Sequence, residues 1–295
     1  MQFDAIVPAL EDKIVQKAVS ELLTAIYEQD FLNCSYGFRP GRGAQDALDE
    51  VDRAMWREPI SCVLELDITS YFDSIVREQL MEMIERRISD GSILRLIRKW
   101  INIGVIDDGR LLVSETGTGQ GQIISPLLAN IYLHFVLDEW FEREVKPRLR
   151  GKAFEIRYAD DAVICFQYRE DAEKVLQVLA KRFERFGLTL HPEKTRLVAF
   201  GHQALARATR MRTKTETFDF LGFTHKCARS RRGKFMVHVK TMKKRLRRSL
   251  QNVTLWCRFR LPTKMRPTPD LSNLKYTSHM NRLSLSVKNL ILRSQ

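Results

Sequence analysis

Two adjacent aspartates in an otherwise largely apolar and aromatic stretch, "EIRYADDAVICF" (residues 155–166), restrict this chain more than any other feature. In a regular strand, neighbouring side chains leave on opposite faces, and a buried carboxylate without a partner costs several kcal/mol. The stretch therefore reads as two strands, "AFEIRY" and "AVICFQY", with Asp160 and Asp161 between them at a hairpin tip. There both side chains escape strict alternation and can share one cleft.

The flanking sequence supplies the rest of a sheet. "ISCVLELDI" is short, apolar and β-branched, a buried strand ending at Asp67. Helical spacing follows in Leu80, Met83, Ile84 and Ile88, and again in Ile93, Leu94, Ile97, Trp100 and Ile101. Residues 125–141 open with Ser-Pro, an N-cap with proline in the first turn, and are apolar almost all round, which predicts a deeply buried helix. Residues 170–186 read as an amphipathic helix ended by Gly187, and "TRLVAF" as the next strand. Upstream, residues 9–29 place Ile14, Ala18, Leu22, Ala25 and Ile26 near helical spacing. Strand, helices, strand-turn-strand, helix, strand is the order of a ferredoxin-like split βαβ unit in an α+β fold. It puts Asp67 and the Asp160/Asp161 pair at the same edge of the sheet. Three converging carboxylates suit Mg²⁺, which is usually held by one or two carboxylates with waters and substrate phosphates. Two such ions ~3.5–4 Å apart stabilise both oxygens of a phosphoryl transfer.

Charge separates the chain into two parts. Residues 201–295 hold 23 Lys/Arg against three acids, a net +20, and the first 200 hold 26 against 33, a net −7, which together give the +13 of the whole. A basic C-terminal third on an acidic body points to a polyanion gripped by the one and chemistry done in the other. No run approaches the ~20 apolar residues of a membrane span, and the start lacks the pattern of a signal peptide, so a cytoplasmic protein without membrane association is expected. The five cysteines are scattered without a CxxC pair, which argues against a disulfide framework or a zinc knuckle. "GTGQG" lacks the third glycine of a dinucleotide loop, where Gln122 stands, and the pair His225 and Cys227 finds no second pair of zinc ligands.

Six blocks, "SYGFRPGRGAQDAL", "LELDITSYFDSI", "GQGQIISPLLANIYLH", "YADD", "GLTLHPEKT" and "FDFLGFTH", occur in the order and near the spacing of the blocks of group II intron-encoded reverse transcriptases. The resemblance covers roughly residues 7–245. It implies the fingers and palm of a right-hand polymerase with a ferredoxin-like palm sheet and a partial thumb. The divisions expected are partial fingers over 1–59, palm with helical fingers insertions over 60–240, and a basic thumb-like start followed by an atypical tail over 241–295. It further implies RNA-templated DNA synthesis with two Mg²⁺ ions, Mn²⁺ as a substitute, and a maturase role toward intron RNA. The partners would be intron RNA, an RNA template, a DNA primer and deoxynucleotides.

By the same resemblance, Asp67, Asp160 and Asp161 correspond to the metal ligands, joined by the backbone carbonyl of Ile68. Phe72 corresponds to the steric gate against the sugar. Gln120 and Gly121 correspond to contacts with incoming nucleotide and template, Lys194 to an acid for the departing pyrophosphate, and Tyr158, Leu221 and Gly222 to contacts with primer and template. Arg39 and Arg42 are expected to face phosphate. Arg231, Arg232, Lys243, Lys244, Arg247 and Arg248 are expected to bind RNA. The chain departs from the family at both ends. It starts just before "VPALEDKIVQ", so the fingers are expected to lack the basic strand that covers the triphosphate, and activity to be weak. Residues 251–295 carry Pro262, Pro267 and Pro269 and no sustained period, as a shifted reading frame would produce, so a mostly irregular tail is expected, with a short helix near 281–292. The rival readings are a non-catalytic RNA-binding maturase fragment, a gene remnant, and a reverse transcriptase of retron or diversity-generating type. "GFRPGRGAQDAL" and "HPEKT" favour the intron type over the last of these.

Overall fold

The computed structural model describes residues 9–102, 105–107, 110–112, 117 and 122–260. It divides into two compact units, residues 1–239 and 240–295.

The first unit is built on a four-stranded sheet in the order β4-β5-β1-β6, formed by β1 (Cys62–Leu66), β4 (Ala153–Tyr158), β5 (Asp161–Phe166) and β6 (Arg196–Ala199), with every neighbouring pair antiparallel. In chain order this is 2-3-1-4, the split βαβ arrangement the sequence order predicts. Both faces of the sheet are covered, which is why β1 and β5 read as continuous apolar runs and not as alternating ones. Cys62, Leu64, Leu66, Ala162, Ile164 and Phe166 enter one core with the helices. Val63, Val163, Cys165, Ile156 and Val198 enter the other.

The helical core is made by α1 (Leu10–Tyr27), α4 (Arg77–Glu85), α5 (Gly91–Ile101), α6 (Ser125–Leu133) and α7 (Arg169–Arg185). The short α3 (Tyr71–Ser74) precedes α4, and the hairpin of β2 (Val105–Asp107) and β3 (Arg110–Leu112) precedes α6. Helix α6 is buried almost all round, as its composition requires. Its cap is Ile124 and not Ser125, which is already helical. The expected single helix to residue 141 instead passes into π-helical turns at His134–Asp138 and Phe141–Val145. The face of α1 also differs from the spacing reading: Gln16, Val19, Leu23 and Tyr27 are buried, while Ile14 and Leu22 are exposed.

On the opposite face lie α2 (Ala44–Arg57), α8 (His202–Met211) and a three-stranded sheet of β7 (Thr217–Phe220), β8 (Phe223–Arg229) and β9 (Phe235–Thr241). Residues 34–37 run along the free side of β4, through a parallel bridge of Ser35 with Arg157 and hydrogen bonds from Arg157 N to Cys34 O and from Tyr36 N to Arg157 O, both 2.8 Å.

In the second unit, α9 (Lys243–Arg260) carries Lys243, Lys244, Arg247 and Arg248 exposed. The helix continues ten residues past 250, where an irregular tail was expected to begin. The remainder of that tail, with the expected helix at 281–292, lies outside the described residues. Among the described residues no helix is long and apolar enough to cross a membrane.

Candidate active site

The register of the sheet brings the three aspartates together. Leu66 pairs with Ala162 and Tyr158 with Asp161, so Asp67 leaves β1 opposite the start of β5. The hairpin is tighter than the sequence suggested: only Ala159 and Asp160 form the turn, and Asp161 already belongs to β5. Ala159 makes the reversal with φ +56°, a left-handed conformation that costs a non-glycine residue roughly 1–2 kcal/mol.

The chain after Leu188 returns past β1. Asp67 O accepts from His191 N at 2.8 Å, Thr69 N donates to Thr189 O at 2.9 Å, and Ile68 bridges Leu190. This pairing carries the "HPEKT" loop to the carboxylates, and Lys194 Nζ meets Asp67 Oδ2 at 2.9 Å. Lys194 is therefore beside the site, bonded to one of its acids.

The electrostatics are those of crowded carboxylates. Desolvation, then Asp160 and Asp67, push the Asp161 carboxyl up to about 6 against the pull of Lys194, although part of the residue's surface is open to solvent. Asp160 is also raised, chiefly by desolvation and then by Asp67. Lys194 offsets one of three charges, and Arg157, which also draws Asp160 down, is matched by Asp138. The surplus negative charge is what a divalent cation would balance, so the donor chemistry suits a metal, although among the described residues it is Cys34, Asp138 and Glu155 whose ligand atoms lie within 4.8 Å of one another.

Phe72, in α3, is half-buried against the helical core with its ring 5.5 Å from that of Tyr71. Tyr71 in turn is fixed by its hydroxyl on Ala129 O at 2.5 Å. Tyr158, the last residue of β4, lies 6.4 Å ring to ring from the exposed Phe38. Leu221 and Gly222 form the β7–β8 turn with φ +51° and +80°. Arg231 and Arg232 are exposed in the β8–β9 turn. Gln120 and Gly121 lie outside the described residues; Gly117, three residues before Gln120, donates to Ile75 O, and a Cβ there would approach Asp73 Cα to 3.2 Å.

Arg39, expected to face phosphate, needs correction, and Arg42 is engaged within its own loop. Arg39 is buried and spends its whole guanidinium on Glu28 and on the carbonyls of Leu32, Ser35 and Phe31. Arg42 bonds Asn33 and Ser35 and stacks on Tyr36. A loop rich in Gly and Pro leaves its carbonyls without a ladder, and these arginines satisfy them where a phosphate contact was expected.

Sequence reasoning missed the residues beneath the turn. Arg157, fully buried, donates to Ala159 O at 2.9 Å and forms an ion pair with Asp138, also fully buried. Asn130 and Ser35 complete its bonding. The only sequence signal was an arginine inside an apolar strand, and its side-chain partners lie 19 to 122 residues away.

Set beside known proteins, residues 5–225 match the family described as "Reverse transcriptase (RNA-dependent DNA polymerase)". The chain is 32% identical over 253 residues to protein YkfC of Escherichia coli (strain K12), covering 69% of this chain and 63% of that protein. It is 35% identical over 190 residues to the group II intron-encoded protein LtrA of Lactococcus lactis subsp. cremoris, covering 60% of this chain and 31% of that protein. The chain thus spans less than two thirds of the length of either relative. Among solved structures, apo telomerase from Candida tropicalis, truncated from the C-terminal domain, superposes with a TM-score of 0.56 at 15% identity, over 77% of this chain and 45% of that one. This last likeness concerns the fold alone.

Proposed function

Because the chain belongs to the reverse transcriptase family, we propose that it is an RNA-directed DNA polymerase of the group II intron type that also binds intron RNA. The observation that carries this reading is the convergence of Asp67, Asp160 and Asp161 at one end of the palm sheet, with their charge in excess. Divalent metal use is general to the family, and Mg²⁺, with Mn²⁺ as substitute, is the ion proposed here. Asp67, Asp160 and Asp161 would hold it, with the carbonyl of Ile68. When bound, such ions activate the primer hydroxyl and stabilise the leaving pyrophosphate.

The chain's own residues do the remaining work. Lys194 is within reach to move from Asp67 toward the charge that develops on the leaving group. Phe72, backed by Tyr71, limits the space beside the sugar. The Leu221–Gly222 turn carries the primer end; Arg231 and Arg232 bind nucleic acid in the first unit, and the exposed cations of α9 do so in the second. The likeness to the intron-encoded protein LtrA supports intron RNA as partner, and a DNA primer and deoxynucleotides follow from the proposed reaction.

Primer extension on an RNA template in Mg²⁺ tests the reading. Asp67→Asn, Asp160→Asn and Asp161→Asn are each expected to lower extension by at least about 10³-fold while RNA affinity stays within about twofold, since each removes a ligating charge and none of the basic side chains. Extension that survives in the Asp160→Asn protein would remove the metal assignment. A parent chain that binds RNA but never extends would instead support an RNA-binding maturase.

A further inference from the structure

Arg157 is an expensive residue to keep. Exchanging a buried ion pair for well-packed apolar side chains is often neutral or stabilising, so the pair itself does not explain the arginine. What it holds is more informative. All five guanidinium N–H groups are used: Nε and Nη2 on Asp138 at 2.6 and 2.5 Å, Nη2 on Ser35 Oγ at 2.8 Å, and Nη1 on Asn130 Oδ1 at 3.0 Å and Ala159 O at 2.9 Å. The last of these is the carbonyl of the left-handed residue that directly precedes Asp160.

A second restraint reaches the same residue. Asn130 Nδ2 donates to Gly37 O at 2.6 Å, and Gly37 lies so close to the turn that a Cβ there would stand 2.4 Å from Ala159 N. Ala159 is thus touched by a guanidinium and by a glycine, both tied to Asn130. A non-glycine residue keeps a sparsely populated conformation only where its surroundings over-determine it, and such positions cluster at functional sites. Glu155 is buried beside Asp138, and desolvation and then that neighbour push its carboxyl well above the usual range; Arg157 is paired with Asp138.

We propose that Arg157 is a positioning residue for the metal-binding turn: gripped by Asp138, Asn130 and Ser35, it locks Ala159 and thereby sets how tightly Asp160 and Asp161 take a divalent cation. This rests on the function proposed above. It gives the "SYGF" segment a role in the same device, since Ser35 and Gly37 reach Arg157 and Ala159 from a part of the chain more than 120 residues earlier.

The test is Mn²⁺ binding by the full chain, followed by electron paramagnetic resonance, with primer extension as a separate readout. The informative variant is the double substitution Arg157→Met with Asp138→Leu, which removes both charges together and leaves neither buried alone. It is expected to fold and to bind Mn²⁺ about 10- to 100-fold more weakly, the usual cost of losing a residue that orients metal ligands. Arg157→Lys, which keeps the charge but not the fork, is expected to restore only part of the affinity. Arg169→Met, which breaks an exposed pair with Glu173, is the control and should match the parent.

A folded double variant with parental Mn²⁺ affinity overturns the proposal. Should the double variant not fold, Ser35→Ala decides, because it removes one acceptor and no charge. Weaker Mn²⁺ binding at an unchanged melting temperature supports the proposal, and parental binding overturns it. If the parent shows no Mn²⁺ binding that Asp161→Asn removes, the function itself fails, a result distinct from either outcome.

Discussion

Phe72 acts as a gate only if its ring cannot swing away, and Tyr71 supplies that stiffness through its bond to Ala129 O. Phe72→Val should therefore raise ribonucleotide incorporation relative to deoxyribonucleotide by about 10-fold, in line with what one filled or emptied pocket volume discriminates. Competition between the two nucleotides in primer extension reads this directly, and an unchanged ratio would return Phe72 to the core. His225 is a residue of another kind. It is fully buried and stacked on Phe218 with 3° between the rings. Desolvation lowers its pKa to about 4 from an ordinary 6.5. Below pH 6.5 the unfolded chain takes up a proton that the native state refuses until about pH 4. The stability contributed by neutral burial is thus complete above 6.5 and is lost as pH falls toward 4, by up to about 3 kcal/mol. His225→Phe should flatten the melting temperature between about pH 4.5 and 7, and an unaltered pH profile would show that His225 is not its source.

Elements differed in how openly the sequence displayed them. The palm strands and α4, α5 and α7 were legible because burial on one or both faces writes a period or a continuous apolar run into the chain. The three aspartates were legible for the opposite reason, as charges breaking such a run. Helix α1 misled because it bears apolar residues on its exposed side as well, and spacing alone does not say which stripe is buried. The π-helical turns after α6 leave no composition signal. Asp138, Asn130 and Ser35 were invisible because tertiary closure, and not spacing, brings them to Arg157. The β7–β8 hairpin shows a choice at this scale. Both turn residues have positive φ, a geometry that favours Asn-Gly, yet Leu221 occupies the first position. Leu221→Asn should leave stability within about 1 kcal/mol, since relief of strain offsets the apolar burial given up. It should also raise KM for primer–template severalfold. A lower melting temperature with unchanged KM would make Leu221 a structural residue only.

On the scale of the molecule, charge and chemistry are segregated, with net −7 in residues 1–200 and net +20 beyond. Affinity for RNA should fall steeply with salt, and each phosphate left without its cation should flatten the slope of log K against log salt by about 0.7 to 0.9. Replacing Lys243, Lys244, Arg247 and Arg248 with alanine should therefore reduce its magnitude by about 3. Filter binding across a salt series checks this, and a slope that ignores all four changes would place the RNA elsewhere. The alignment of Ser35 with Arg157 has a further consequence, in time. A ribosome adding about 5–20 residues per second makes the second partner roughly 6 to 24 seconds after the first. Throughout that interval the "SYGF" segment has no β4 to lie against. That pairing cannot form before Arg157 has been made, so a pause placed between codons 35 and 157 delays it by the length of the pause.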